Sequence, residues 1–103
     1  MISLIEQNIE AIRTLCGRFG VARLEVFGSA ADDSFDPLHS DIDFIVEFIP
    51  GYDLGPWMAN YHDFRDELIR LLGREVDLVM SGAPSNPFFL REMNRTRKVL
   101  YAA

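Results

Sequence analysis

Apolar residues recur along this chain with two different periods, and each change of period marks a new element. Over residues 4–19, Leu4, Ile5, Ile9, Ile12, Leu15, Cys16 and Phe19 fall three or four positions apart, the spacing of one helical face, with Gly17 or Gly20 near the end. Ser3 followed by Glu6 has the form of a capping box. Residues 21–27 read as a first strand, in which Arg23 and Glu25 alternate with Ala22, Leu24 and Val26 to leave one face more polar. Gly28 stops it, 29–34 is a short helix or turn, and Asp36-Pro37 and His39-Ser40 keep the next loop irregular. Residues 41–48 form a second strand, with Ile42, Phe44, Val46 and Phe48 toward the core and Asp41, Asp43, Ile45 and Glu47 on the other side. Pro56 suits the first turn of a helix whose stripe is Trp57, Tyr61, Phe64, Leu68 and Leu71 or Leu72, with Gly73 as its C′ residue. A third strand at 75–80 puts Val76, Leu78 and Met80 on one face and Glu75, Asp77 and Val79 on the other. Residues 88–97 read as a last helix, with Phe89, Leu90 and Met93 inward and Arg91, Arg95, Arg97 and Lys98 on its outer face and end. Val99-Leu100-Tyr101 is an apolar tail free to dock or to add an edge strand. The order implies an α/β (α+β) fold, a small mixed sheet of three or more strands flanked by helices.

Composition narrows the functional classes. A length of 103 residues suffices for one domain, taken as 1–103, and 49% hydrophobic residues support a packed core. No apolar run is long enough to span a bilayer, and the N-terminal stretch lacks the basic start and cleavage site of a signal peptide. The single cysteine, Cys16, lies on the apolar stripe and excludes an internal disulfide or a multi-cysteine zinc site. His62 lies off the helical stripe with no His or Cys close by, an exposed residue rather than a metal ligand. These features point to the cytoplasm. A net charge of −6 opposes direct nucleic-acid binding, which needs basic residues against phosphates. An acidic surface suits a basic protein partner or plain solubility.

The charge that matters is local. On an extended strand Asp41 and Asp43 point the same way, and adjacent carboxylates repel unless a cation or a proton lies between them. Asp77 also interrupts an apolar strand, a placement that needs a reason. If the second and third strands are neighbours, the three carboxylates converge. Such a set binds magnesium, which prefers oxygen ligands and bridges to nucleotide phosphates. Two such ions polarise the attacking and leaving oxygens of a phosphoryl or nucleotidyl transfer. Gly28 lets the backbone approach a phosphate closely, and Ser29 offers a hydroxyl and an amide. Singly, each feature is an ordinary turn or strand entry; the combination is more specific.

Val26-Phe27-Gly28-Ser29, Ser40-Asp41-Ile42-Asp43-Phe44 and Glu75-Val76-Asp77-Leu78-Val79 resemble the signature of the minimal nucleotidyltransferases, within the polymerase-β-like nucleotidyltransferase superfamily. The segment from Asn86-Pro87-Phe88 to Leu100-Tyr101 is also similar to that family's end, so the resemblance spans nearly the whole chain. It implies magnesium on Asp41, Asp43 and Asp77, and ATP held at Gly28 and Ser29 with Ser40 beside them. It further implies a hetero-oligomer with a helical ribonuclease toxin of the HEPN class, which the protein adenylylates or blocks by binding alone. One departure stands out: the family's Arg-Gly after the Gly-Ser turn is replaced by Asp32-Asp33. Aspartates repel phosphate where an arginine would pair with it; Arg23 or an arginine of the last helix is available to compensate.

Overall fold

The computed structural model describes residues 1–103. Helices α1 (Ser3–Gln7) and α2 (Ile9–Arg18) precede β1 (Val21–Phe27), the one-turn α3 (Ser29–Asp32) and β2 (Ile42–Phe48). A 3₁₀ turn at Pro56–Met58 leads into α4 (Ala59–Leu72), followed by β3 (Val76–Met80), α5 (Pro87–Thr96) and β4 (Lys98–Ala102). The strands form one mixed sheet in the order β3-β2-β1-β4. β1 is antiparallel to both β2 and β4, and β2 is parallel to β3. A parallel pair needs a crossover, and α4 supplies it. The fold is thus the α/β arrangement expected from the pattern of elements, and the apolar tail does become an edge strand.

The two faces of the sheet are covered unequally. On one, Ile12, Leu15 and Cys16 of α2 and Phe64, Leu68 and Leu72 of α4 pack against Leu24, Val26, Ile42, Phe44, Val46, Val76 and Leu78. This continuous apolar layer is the main source of stability, since each large side chain so buried contributes roughly 1.5–3 kcal/mol. On the other, only α5 lies over the strands, joining Met93 to Phe27 and Ile45 in a small separate cluster edged by Val79 and Leu90. Most of the charged strand residues share this second face. Its register sets the geometry below: Phe27 faces Asp43 and Asp43 faces Asp77; one row on, Glu25 faces Ile45 and Ile45 faces Val79.

Several local expectations give way to tertiary structure. The first helix breaks at Asn8, whose side-chain amide donates to the Leu4 carbonyl at 2.8 Å. Ser3 is already helical, Ile2 is the N-cap, and no side chain caps the start, so the capping box does not form. Trp57 does not join the stripe of α4: with φ +55° it projects into solvent, 94% exposed, and the helix begins two residues later. Gly73 does close α4 in the left-handed conformation, φ +65°. Asp41 lies just before β2 rather than in it. Asp77 is exposed on the edge strand β3, so it carries little of the desolvation cost that its apolar neighbours suggested.

Candidate active site

β1 ends where Gly28 adopts φ +72° and ψ −148°, a backbone region open in practice only to glycine. The turn redirects the chain into α3, whose Ala31 and Asp32 amides donate back to the Gly28 carbonyl at 3.0 and 3.2 Å. Being first in a helix, the Ser29 and Ala30 amides have no intrahelical acceptor; Ala30 is fully buried, and Ser29, half-buried, is the one that reaches the surface. A second constraint acts on Gly28: a Cβ placed there would lie 2.8 Å from Oδ2 of Asp43. The missing side chain is the space that the Asp43 carboxylate occupies.

Asp43 is the centre of the acidic group. It is half-buried, and its carboxyl is pushed up to about 6, first by burial, then by the charge of Asp77 and then by that of Asp41. The parallel register places Asp77 directly beside it on the same face, and Asp41 reaches it from the loop. The sheet thus brings Asp41, Asp43 and Asp77 together as electrostatic neighbours at the mouth of the Gly28-Ser29 turn. No three of the His, Cys, Asp and Glu side chains close to metal-chelating distance. An all-oxygen donor set with one carboxylate already starved of solvent suits a hard divalent cation, provided other oxygens complete its shell. Ser40 is placed differently from Gly28 and Ser29. Its hydroxyl accepts from the Asp36 amide at 3.0 Å and its amide donates to the Asp36 carbonyl at 2.9 Å, closing the loop that delivers Asp41.

The aspartates that replace the Arg-Gly pair are both engaged. Asp32 accepts from the Ser34 amide and hydroxyl and pairs with Nη2 of Arg95 at 3.4 Å. Asp33 takes the left-handed conformation at φ +67°, the conformation a glycine accepts freely, and pairs with the terminal amine of Met1 at 3.0 Å. Arg95 is shared between Asp32 and Glu92. Arg23 and Arg97 both donate through Nε to the Glu25 carboxylate. Of the arginines expected to compensate, Arg23, Arg95 and Arg97 are thus engaged, while Arg91 of α5 is exposed and lies over the Phe88 ring with no carboxylate partner.

The Glu25 network escaped the sequence pattern. The alternation shows Glu25 only as part of a more polar strand face, yet its side chain is 3% exposed beneath Arg23 and Arg97. Burial alone pushes its carboxyl up; hydrogen bonds and charge from Arg97 and Arg23 more than offset this, and the net shift is downward. A lowered carboxylate stabilises the fold above its unfolded pKa near 4.5 and loses that contribution as pH falls further. Glu25→Gln is therefore expected to cost about 2 kcal/mol at neutral pH, in the range for hydrogen bonds to charged groups. Denaturant melts should show the gap to wild type closing below pH 4.5. A pH-independent gap would contradict the ion-pair account. Thr96, the other buried polar residue, was also missed. Its partner is Gly28, far away in sequence, and no local pattern announces it.

The model of the nucleotidyltransferase domain family matches residues 9–100. A Methanocaldococcus jannaschii protein named provisionally as a protein adenylyltransferase is 36% identical over 76 residues, covering 74% of this chain and 72% of that protein. A solved structure described provisionally as a minimal nucleotidyltransferase superposes with a TM-score of 0.72 at 30% identity, covering 91% of this chain and 90% of that one. A toxin–antitoxin structure with AMP-PNP has a TM-score of 0.70 at 21% identity, covering 93% and 74%. The complex of a tri-AMPylated Shewanella oneidensis HEPN toxin with an MNT antitoxin gives 0.64 at 20% identity, covering 95% and 72%. The last two share the fold.

Proposed function

The chain belongs to the nucleotidyltransferase domain family, and from that premise we propose that it transfers AMP from ATP to a hydroxyl of a partner protein, as the antitoxin of a HEPN-type ribonuclease toxin. The observation that carries the reading is the in-register pairing of Asp43 with Asp77 beside the Gly28 turn. In this proposal Asp41, Asp43 and Asp77 would hold magnesium, a cation that prefers oxygen ligands. When bound, the metal neutralises phosphate charge and polarises the attacking and leaving oxygens. The Ser29 hydroxyl and amide receive the phosphates that the Gly28 backbone lets approach. The acceptor hydroxyl oxygen then bonds to the α-phosphorus and gives its proton to solvent, the bond from the α-phosphorus to the bridging oxygen breaks, and pyrophosphate leaves. The need for ATP sets the reaction in the cytoplasm. The acidic surface supports a protein acceptor rather than nucleic acid.

Incubation with α-labelled ATP, magnesium and a HEPN-type partner is expected to label the partner. Asp41→Asn combined with Asp43→Asn should remove the label. Equal labelling by the double variant would end the catalytic reading.

One observation favours a second reading, neutralisation by binding alone. Arg23, Arg95 and Arg97 are already paired with carboxylates, which weakens the hold on triphosphate. Full suppression of the toxin by the double variant would support it; loss of suppression would support transfer.

A further inference from the structure

Thr96 is a buried hydroxyl at the last position of α5, and its contacts cross the sheet's open face. Oγ1 donates to the Glu92 carbonyl, one turn back, at 3.0 Å. It accepts from the Gly28 amide at 2.8 Å, 68 residues away in sequence. The same helical turn makes a second contact, from Arg95 to Asp32 at 3.4 Å. The end of α5 therefore grips α3 at both its N-cap, Gly28, and its final residue, Asp32. Gly28 is also the residue whose α-carbon abuts the Asp43 carboxylate. One hydroxyl thus sets the peptide plane on which the turn and the central aspartate both depend.

We propose that Thr96 is a positioning residue for nucleotide binding, fixing the Gly28 amide so that Ser29 meets the phosphates beside Asp43. The inference rests on the nucleotidyl-transfer reading and adds to it a residue outside the sequence signature. Two physical reasons make the hydroxyl, rather than mere bulk, the working part. Gly28 has backbone freedom that no side chain limits, so an external bond must hold it. A displaced amide also costs most where geometry must match a charged ligand.

The test separates hydroxyl from shape. Thr96→Ser keeps the oxygen and loses a methyl; Thr96→Val keeps the shape and loses the oxygen. Calorimetric titration with magnesium·ATP is expected to leave Thr96→Ser within about twofold of wild type and to weaken Thr96→Val about tenfold, the effect of one unmade hydrogen bond. In the nucleotide-free protein, hydrogen exchange at the Gly28 amide should be protected in wild type and Thr96→Ser and fast in Thr96→Val. If Thr96→Val binds ATP like wild type while its Gly28 amide exchanges fast, the positioning role is wrong and the transferase reading stands. If Thr96→Val does not fold, Thr96→Ser decides alone: an affinity loss beyond fivefold makes the methyl the working part and overturns the inference. If wild type binds no ATP, both proposals fall.

Discussion

Asparagine at position 43 is expected to cripple transfer and, in the same stroke, to stabilise the metal-free protein. Transfer should fall by roughly 100- to 1,000-fold, the loss typical of removing a preorganised electrostatic group. The stability gain has a separate origin. Asp43 holds its proton more tightly folded than unfolded, its carboxyl raised from 3.8 to about 6 by burial and by Asp77 and Asp41. The charged form therefore works against the fold. The penalty is fully present above pH 6, shrinks as pH falls between those two values, and is gone below the lower one. At about 1.4 kcal/mol per pH unit, discounted for partial exposure, Asp43→Asn should gain about 2 kcal/mol at pH 7.5. In a chain of this size that raises the melting temperature by roughly 10 °C. Melting both proteins in chelator at pH 7.5 and at pH 4 checks this, because the Glu25 contribution is common to both and cancels in the difference. An asparagine variant no more stable than wild type at pH 7.5 would mean that the carboxylate is not strained. Such opposed effects are the usual mark of a side chain kept for function at the expense of stability.

Gly28→Ala should be the most damaging single methyl in the protein. Two costs add: the backbone at φ +72° and ψ −148° excludes side chains, and the new Cβ would sit 2.8 Å from Oδ2 of Asp43. Strain of this kind costs about 1–3 kcal/mol before any clash, so about 3–4 kcal/mol is expected in all. Gly73→Ala is the internal reference. It too has positive φ, +65°, but nothing within 4 Å of the added carbon, so only the left-handed penalty of about 1 kcal/mol applies. Combining Gly28→Ala with Asp43→Ala removes the close contact and should recover about 1 kcal/mol, a coupling that a double-mutant cycle measures. Equal costs at positions 28 and 73 would show that Asp43 does not crowd the turn.

Hydrogen-bond topology explains why some of this was legible in the chain and some was not. Strand periodicity alone separated Ile42, Phe44 and Val46 from Asp43 and Ile45, because alternation is a property of the single strand. Gly73 was legible as a helix stop because αL closure is local. The fate of Glu25 was not, since the same alternation fits an exposed carboxylate and one roofed by Arg97, 72 residues on. Trp57 failed for a related reason: its spacing matched the helical stripe, but the positive-φ turn at Trp57 and Met58 starts the helix later. The bond from the Asp36 amide to the Ser40 hydroxyl, which closes the loop that delivers Asp41, was not legible either, since it depends on how that loop folds.

By itself the sequence determined the glycine turn, the alternating faces and the choice of acidic residues, because these depend on neighbours two to four positions away. Only the tertiary structure decided that β3 lies parallel beside β2 with Asp77 at the level of Asp43, and that Thr96 reaches Gly28. Strand register and contacts between distant segments arise from the packing of whole faces, which no short stretch of chain encodes.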